Sequence, residues 1–163
     1  MTMKFSNQIL LLVTIGLLSV PFQPALGQNV EDKIEVARSV LKADRQAVVA
    51  SALQLTEKES QAFWPLYRQY RADMDKVGDG LMKLVQEYAK AYPDVPEDRA
   101  KQMLKDLGDL EGKLAATRAS HLKKIGKVLP AAKTLRFAQV ESRLDLAVRL
   151  ELASAIPLVP LAK

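Results

Sequence analysis

The chain has 163 residues, 48% of them apolar, 26% charged and 6% aromatic, with no cysteine and a single histidine. That composition fits one helical domain rather than a disordered or disulfide-stapled chain, and the length argues against two full domains. Without thiols there is no cysteine nucleophile, redox pair or cysteine zinc site, and the lone His121 removes two-histidine relays and His-rich metal sites.

Residues 1–27 have the three parts of a secretory signal. Lys4 supplies the charged start, Ile9 to Val20 the apolar run, and Ala25-Leu26-Gly27 a small-x-small cleavage site before Gln28. The run is shorter than the ~20 residues that span a bilayer, and Pro21 and Pro24 follow it, so a cleaved signal is favoured over a retained anchor. The expected mature chain is Gln28 to Lys163. In a Gram-negative envelope it resides in the periplasm, where ATP is absent and nucleic acid is not an expected partner.

Mature-chain charge is uneven. From Gln28 to Gly112 there are 13 basic and 16 acidic residues, whereas Lys113 to Leu150 holds 9 basic and only 2 acidic. Such asymmetry suggests an electropositive surface that attracts an acidic partner, or more plainly a solvated helix face that keeps the chain soluble.

Helical periodicity dominates the mature chain. A first amphipathic helix is expected from about Asp32 to Leu53, with Ile34, Ala37, Val40, Leu41, Val48, Ala52 and Leu53 as its apolar positions. Leu55-Thr56-Glu57-Lys58-Glu59 follows as a capping box, in which Thr56 caps the third helical N–H and Glu59 reaches back to the Thr56 N–H. From there Phe63, Leu66, Tyr70, Met74, Val77, Leu81, Leu84 and Tyr88 form a nearly continuous heptad seam to about Ala91. Pro65 should bend that helix near Trp64 or divide it in two.

Tyr92-Pro93-Asp94-Val95-Pro96 reads as a turn with a further N-terminal cap, and a second long helix is expected from Glu97 to Leu129. The two rods, each roughly 50 Å long, are matched in length and should fold into an antiparallel hairpin. Beyond Pro130, a last helix runs from about Ala131 to Ala155. Ile156-Pro157-Leu158-Val159-Pro160 then lies extended over a groove or a partner, because its prolines forbid further helix. The fold class is therefore all-α, four helices with a long antiparallel hairpin. So thin an arrangement encloses little core in one chain, which predicts a homodimer with a two-fold interface.

Leu55-Thr56 opening a long helix, Phe63-Trp64-Pro65-Leu66-Tyr67, the hairpin, and the run from Leu129-Pro130 through Ala131, Ala132, Lys133, Thr134, Leu135, Arg136, Phe137, Ala138, Gln139, Val140 and Glu141 together resemble the Spy/CpxP-related periplasmic proteins, the family with LTxxQ motifs. The first motif has Glu59 in the Gln position, which preserves the capping chemistry. The second, Leu129-Pro130-Ala131-Ala132-Lys133, has neither Thr nor Gln, as in a divergent branch. The resemblance implies a cradle-shaped helical dimer that holds unfolded envelope proteins without ATP, or that damps a membrane stress sensor.

On that reading the chain is not an enzyme and needs no cofactor. The candidate polypeptide-binding residues are Arg118, Lys123, Lys124, Lys127, Lys133, Arg136 and Arg143, beside exposed apolar positions. Leu55, Thr56 and Glu59 are assigned to the motif and its cap. Trp64, Tyr67 and Tyr70 read as buried packing before a client-gripping strip. His121 is expected at the edge of the hairpin seam, partly exposed. A soft metal site joining it to Met74, Met82 and Met103, in a heavy-metal sensor or scavenger, is the weakest alternative. Gly78 and Gly80 suggest a hinge or a close helix crossing, and Glu97, Asp98, Asp106, Asp109 and Glu111 a solvated face.

Overall fold

A computed structural model of the chain describes residues 45–160, and every described element is a helix. The signal reading of residues 1–27 and the first part of the expected N-terminal helix lie outside the described residues. We number the helices α1 (residues 45–53), α2 (Glu57–Ala91), α3 (Glu97–Ile125) and α4 (Ala131–Ala155).

Local chemistry sets the boundaries. Gln54, at φ 45°, takes the left-handed conformation that ends α1, its N–H bonded to the Ala50 carbonyl. The capping box at Thr56 then forms as the sequence predicts. Glu59 N–H donates to Thr56 Oγ1 at 3.3 Å, and Thr56 N–H donates to Glu59 Oε2 at 2.8 Å. α2 continues through Pro65 as one helix, so the division into two helices is not what the chain adopts. α3 begins after Pro96, which has no side chain able to cap it, so the turn lacks the side-chain cap that the sequence predicts there.

α3 also ends four residues earlier than the seam predicts. Leu129 precedes Pro130, which disfavours helical backbone at that position, and Gly126 is a poor helix former. Residues 126–129 therefore close as a tight turn, with N–H bonds from Lys127 to Lys124 and from Val128 and Leu129 to Ile125. Leu129 still packs into the core.

α2 and α3 form the expected antiparallel hairpin, but the core is gathered at one end of it. There Val49 and Leu53 of α1, Phe63, Tyr67 and Tyr70 of α2, Ile125 of α3, and Phe137 of α4 are buried together. Phe63, Tyr67 and Tyr70 each present a ring edge to Phe137, with centroids 5.4 to 6.1 Å apart. Trp64 is half-buried against Phe63 and Tyr67 and donates Nε1–H to Ser60 Oγ at 2.9 Å, so the aromatic strip is packing. The extended segment 156–160 crosses back to α2, where the Tyr88 hydroxyl donates to the Pro157 carbonyl at 2.8 Å.

Candidate functional site: a groove beside a buried charge network

Four helices converge on one ionic network. Arg45 of α1 donates from Nη1 to Glu141 Oε2 at 2.7 Å and from Nη1 and Nη2 to Asp145 Oδ1 at 2.9 Å. Arg71 of α2 reaches the same Glu141 oxygen at 3.2 Å and pairs with Asp75 at 3.0 Å. Arg118 of α3 extends the network from Asp145 Oδ2. Arg45 is 6% exposed and Glu141 1%, so two full charges are held out of water.

Glu141 and Asp145 stand one helical turn apart on α4, and each carboxylate sits between two guanidinium groups. Burial alone works against the charged form of Arg45, but Glu141 and Asp145 outweigh it and hold the group above its ordinary value. The Tyr70 hydroxyl is pushed up to about 12, first by burial and then by the two carboxylates, with Arg118 opposing. Tyr70 Oη and Arg118 Nε lie buried at this point without a well-formed hydrogen bond.

His121 departs from expectation. It is 2% exposed rather than partly exposed, packs its ring edge-on to Tyr70 at 5.5 Å, and places Nε2 3.0 Å from Asp73 Oδ2. An ionised carboxylate only accepts, so Nε2 carries the proton. Asp73 is held below its usual range by Lys76 and by His121. Nε2 is thus engaged while Nδ1 is buried without a hydrogen-bond partner, Met74 is packed in the core, and no group of three or more His, Asp or Glu able to hold a metal occurs among the described residues.

From the network, a groove of 880 Å³ runs along α2 from Tyr67 to Val85. Met74, Val77 and Leu81 form its α2 wall, Leu110 and Leu114 its α3 wall, and Val148 and Leu152 its α4 wall, with Ile156 at the far end. Arg45, Arg71 and Asp145 sit at the end nearest the core. The hairpin is narrow here because Gly80 lets Leu110 approach. A Cβ on Gly80 would lie 2.6 Å from Leu110 Cδ2, so the close-crossing reading of this glycine holds.

The candidate binding residues divide into two groups. Arg118 and Lys133 are committed inside the chain. Lys133 Nζ bonds Glu59 Oε2 at 2.6 Å and the Gln54 carbonyl at 2.9 Å, latching the start of α4 to the α1–α2 turn. That contact is the leading reason the Glu59 carboxyl stays below its usual range, ahead of its bond from the Thr56 N–H. Lys123, Lys124, Lys127 and Arg136 are exposed around the α3–α4 corner, and Arg143 is exposed midway along α4. Both acidic residues of the basic stretch, Glu141 and Asp145, are drawn into the network, so the exposed charge of residues 113–150 is basic throughout.

The acidic cluster of α3 is solvated. Glu97 pairs with Lys101 and Asp109 with Lys105 one turn away, while Asp106 accepts from Gln102. Sequence reasoning missed Arg45, Arg71, Glu141 and Asp145 as a unit, because Arg45 lies 96 to 100 residues from its α4 partners. The spacing of Glu141 and Asp145 within an otherwise basic stretch was the one available signal. No helix among the described residues is long and apolar enough to cross a membrane. No family model, curated protein or solved structure matches the chain.

Proposed function

We propose that this is an exported, ATP-independent polypeptide-binding protein of the cell envelope, a homodimer similar in kind to the Spy/CpxP-related chaperones. It is no enzyme, uses no cofactor and binds no nucleic acid. Its clients are unfolded or partly folded envelope proteins. The observation that carries the reading is a surface of one sign beside an apolar one. Sequestration of Glu141 and Asp145 leaves Lys123, Lys124, Lys127, Arg136 and Arg143 as exposed charge, while the groove and the α4 leucines offer apolar area. Long-range attraction by the basic corner speeds encounter with acidic segments, and shallow apolar contact holds a client weakly enough to release it without nucleotide.

Purified protein lacking residues 1–27 should suppress aggregation of a reduced or heat-unfolded client at near-equimolar ratio. Changing Lys123, Lys124 and Arg136 to Glu should weaken that protection at low ionic strength and flatten its dependence on salt, with helical content retained. Equal protection by the triple variant at every ionic strength would remove the electrostatic half of the reading. Regulation of a membrane stress sensor is the second reading. Stoichiometric binding to one sensor domain without protection of unrelated unfolded proteins would replace the chaperone reading with it.

A further inference from the structure

A separate cavity of 460 Å³ lies between α2 and α3 and, among the described residues, shares only Val77 with the groove. Its α3 wall is one stripe of the helix. Lys113, Thr117, Ser120 and Lys124 follow one another at intervals of four, three and four residues, which sets them along a single face. A lysine therefore stands at each end with two hydroxyls between them. At 1.5 Å per residue the two lysines are about 16 Å apart along the helix, a span that their flexible four-carbon stems can close on a ligand at the hydroxyls. Neither hydroxyl is engaged in a hydrogen bond among the described residues.

The α2 wall contributes Asp73 and Lys76, and Asp73 is the one acidic group that lines the cavity. Both of its oxygens are occupied. Lys76 Nζ donates to Oδ1 at 3.1 Å, and His121 Nε2 donates to Oδ2 at 3.0 Å from a ring that is almost wholly buried. The carboxylate is thus pinned on its own wall, with its charge answered by Lys76. Lys113 and Lys124 are in no ion pair among the described residues, since Asp109, which Lys113 affects at a distance, is bonded to Lys105. Two ammonium charges are left uncompensated at the cavity.

The donor set selects the anion. A planar carboxylate is best matched by the fork of a guanidinium, and none lines this cavity, because Arg118 beside Thr117 is committed to Asp145. Ammonium point charges with hydroxyl donors suit the tetrahedral oxygens of a phosphoryl group. We infer that the α2–α3 cavity binds a phosphoryl group, of a diphosphate or a phosphate monoester, through Lys113 and Lys124, with the Thr117 and Ser120 hydroxyls donating to its oxygens. Asp73 is held off the ligand by His121 and Lys76. The group comes from a soluble phosphate compound or from a lipid headgroup, and the site does not depend on the polypeptide-binding reading.

Two probes test the site on protein lacking residues 1–27: inorganic pyrophosphate by calorimetric titration, and phosphatidylcholine vesicles with or without phosphatidic acid by co-sedimentation. Both are used at about 0.15 M salt, where charges more than about 8 Å apart are largely screened. Saturable binding of either probe is expected, and Lys113→Glu with Lys124→Glu should weaken it by about tenfold or more. Lys123→Glu with Lys127→Glu makes the same change in net charge outside the cavity and should weaken it less than about twofold. Asp73→Asn keeps an amide oxygen to accept from His121 but removes the negative charge, and should tighten binding by about threefold. Pyrophosphate binding without vesicle capture assigns a soluble phosphate compound, and capture that requires phosphatidic acid assigns a headgroup. Equal losses in the two double variants would mark a diffuse basic surface and overturn the inference. So would weaker binding by the Asp73→Asn variant, or no saturable binding of either probe. Client protection is measured separately, so loss of the chaperone reading leaves this outcome untouched.

Discussion

Arg45 and Glu141 show how much of this fold depends on single side chains far apart in sequence. A hydrogen-bonded ion pair at 2.7 Å with both partners buried returns part of what desolvation costs. Removing one partner leaves a charge uncompensated. Glu141→Ala strands Arg45 on Asp145 and Arg71 on Asp75, and should lower stability by about 3–5 kcal/mol in urea titrations. The double variant Arg45→Leu with Glu141→Leu should recover a large part of that loss, since it buries apolar groups where two charges stood. Additive losses in the double variant would show that the pair acts as independent surface charges and that the network does not set the register of α1 against α4.

Individual helices were largely legible because their signals are local. The capping box placed the start of α2, Pro93 its end, and Pro130 the start of α4. The end of α3 was misread because apolar periodicity runs on through Leu129, whereas backbone sterics before Pro130 and the weak propensity of Gly126 stop the helix at Ile125. The heptad seam also hid a difference between its two halves. Phe63 and Tyr70 are buried in the core, while Val77 and Leu81 line a groove, and no periodicity distinguishes a core position from a groove wall. The glycines test the same point about context. Gly108 and Gly112 lie inside α3 with open space where a Cβ would go, so Gly108→Ala and Gly112→Ala should each stabilise by about 0.5–1 kcal/mol. Gly80→Ala should gain less, because Leu110 must move aside to admit the methyl. Denaturation midpoints at constant m-value make the comparison. An equal gain at all three positions would contradict the close crossing of α2 and α3.

At the scale of the whole molecule, one face of α4 stands exposed among the described residues. Phe137, Glu141 and Asp145 face the core and the network, and nearly opposite them Leu135, Leu146 and Leu150 are 61%, 66% and 68% exposed. Eleven and then four residues separate these leucines, which keeps them within one narrow stripe of the helix. The core ends near the aromatic cluster, so the outer half of the hairpin has little buried area of its own, and the proposed two-fold dimer is the economical way to cover this stripe. Sedimentation velocity at increasing concentration should give a particle of twice the chain mass. Changing Leu146 and Leu150 to Asp places four carboxylates across a two-fold contact and should return the protein to one chain with its helical content intact. A wild-type particle that stays at one chain mass at high concentration would remove the dimer, and the same particle after both substitutions would move the interface away from α4. The aspartate variant also separates assembly from recognition, because the basic corner around Lys123 and Lys124 lies at the far end of α4 from these leucines and should keep its salt-dependent capture of clients.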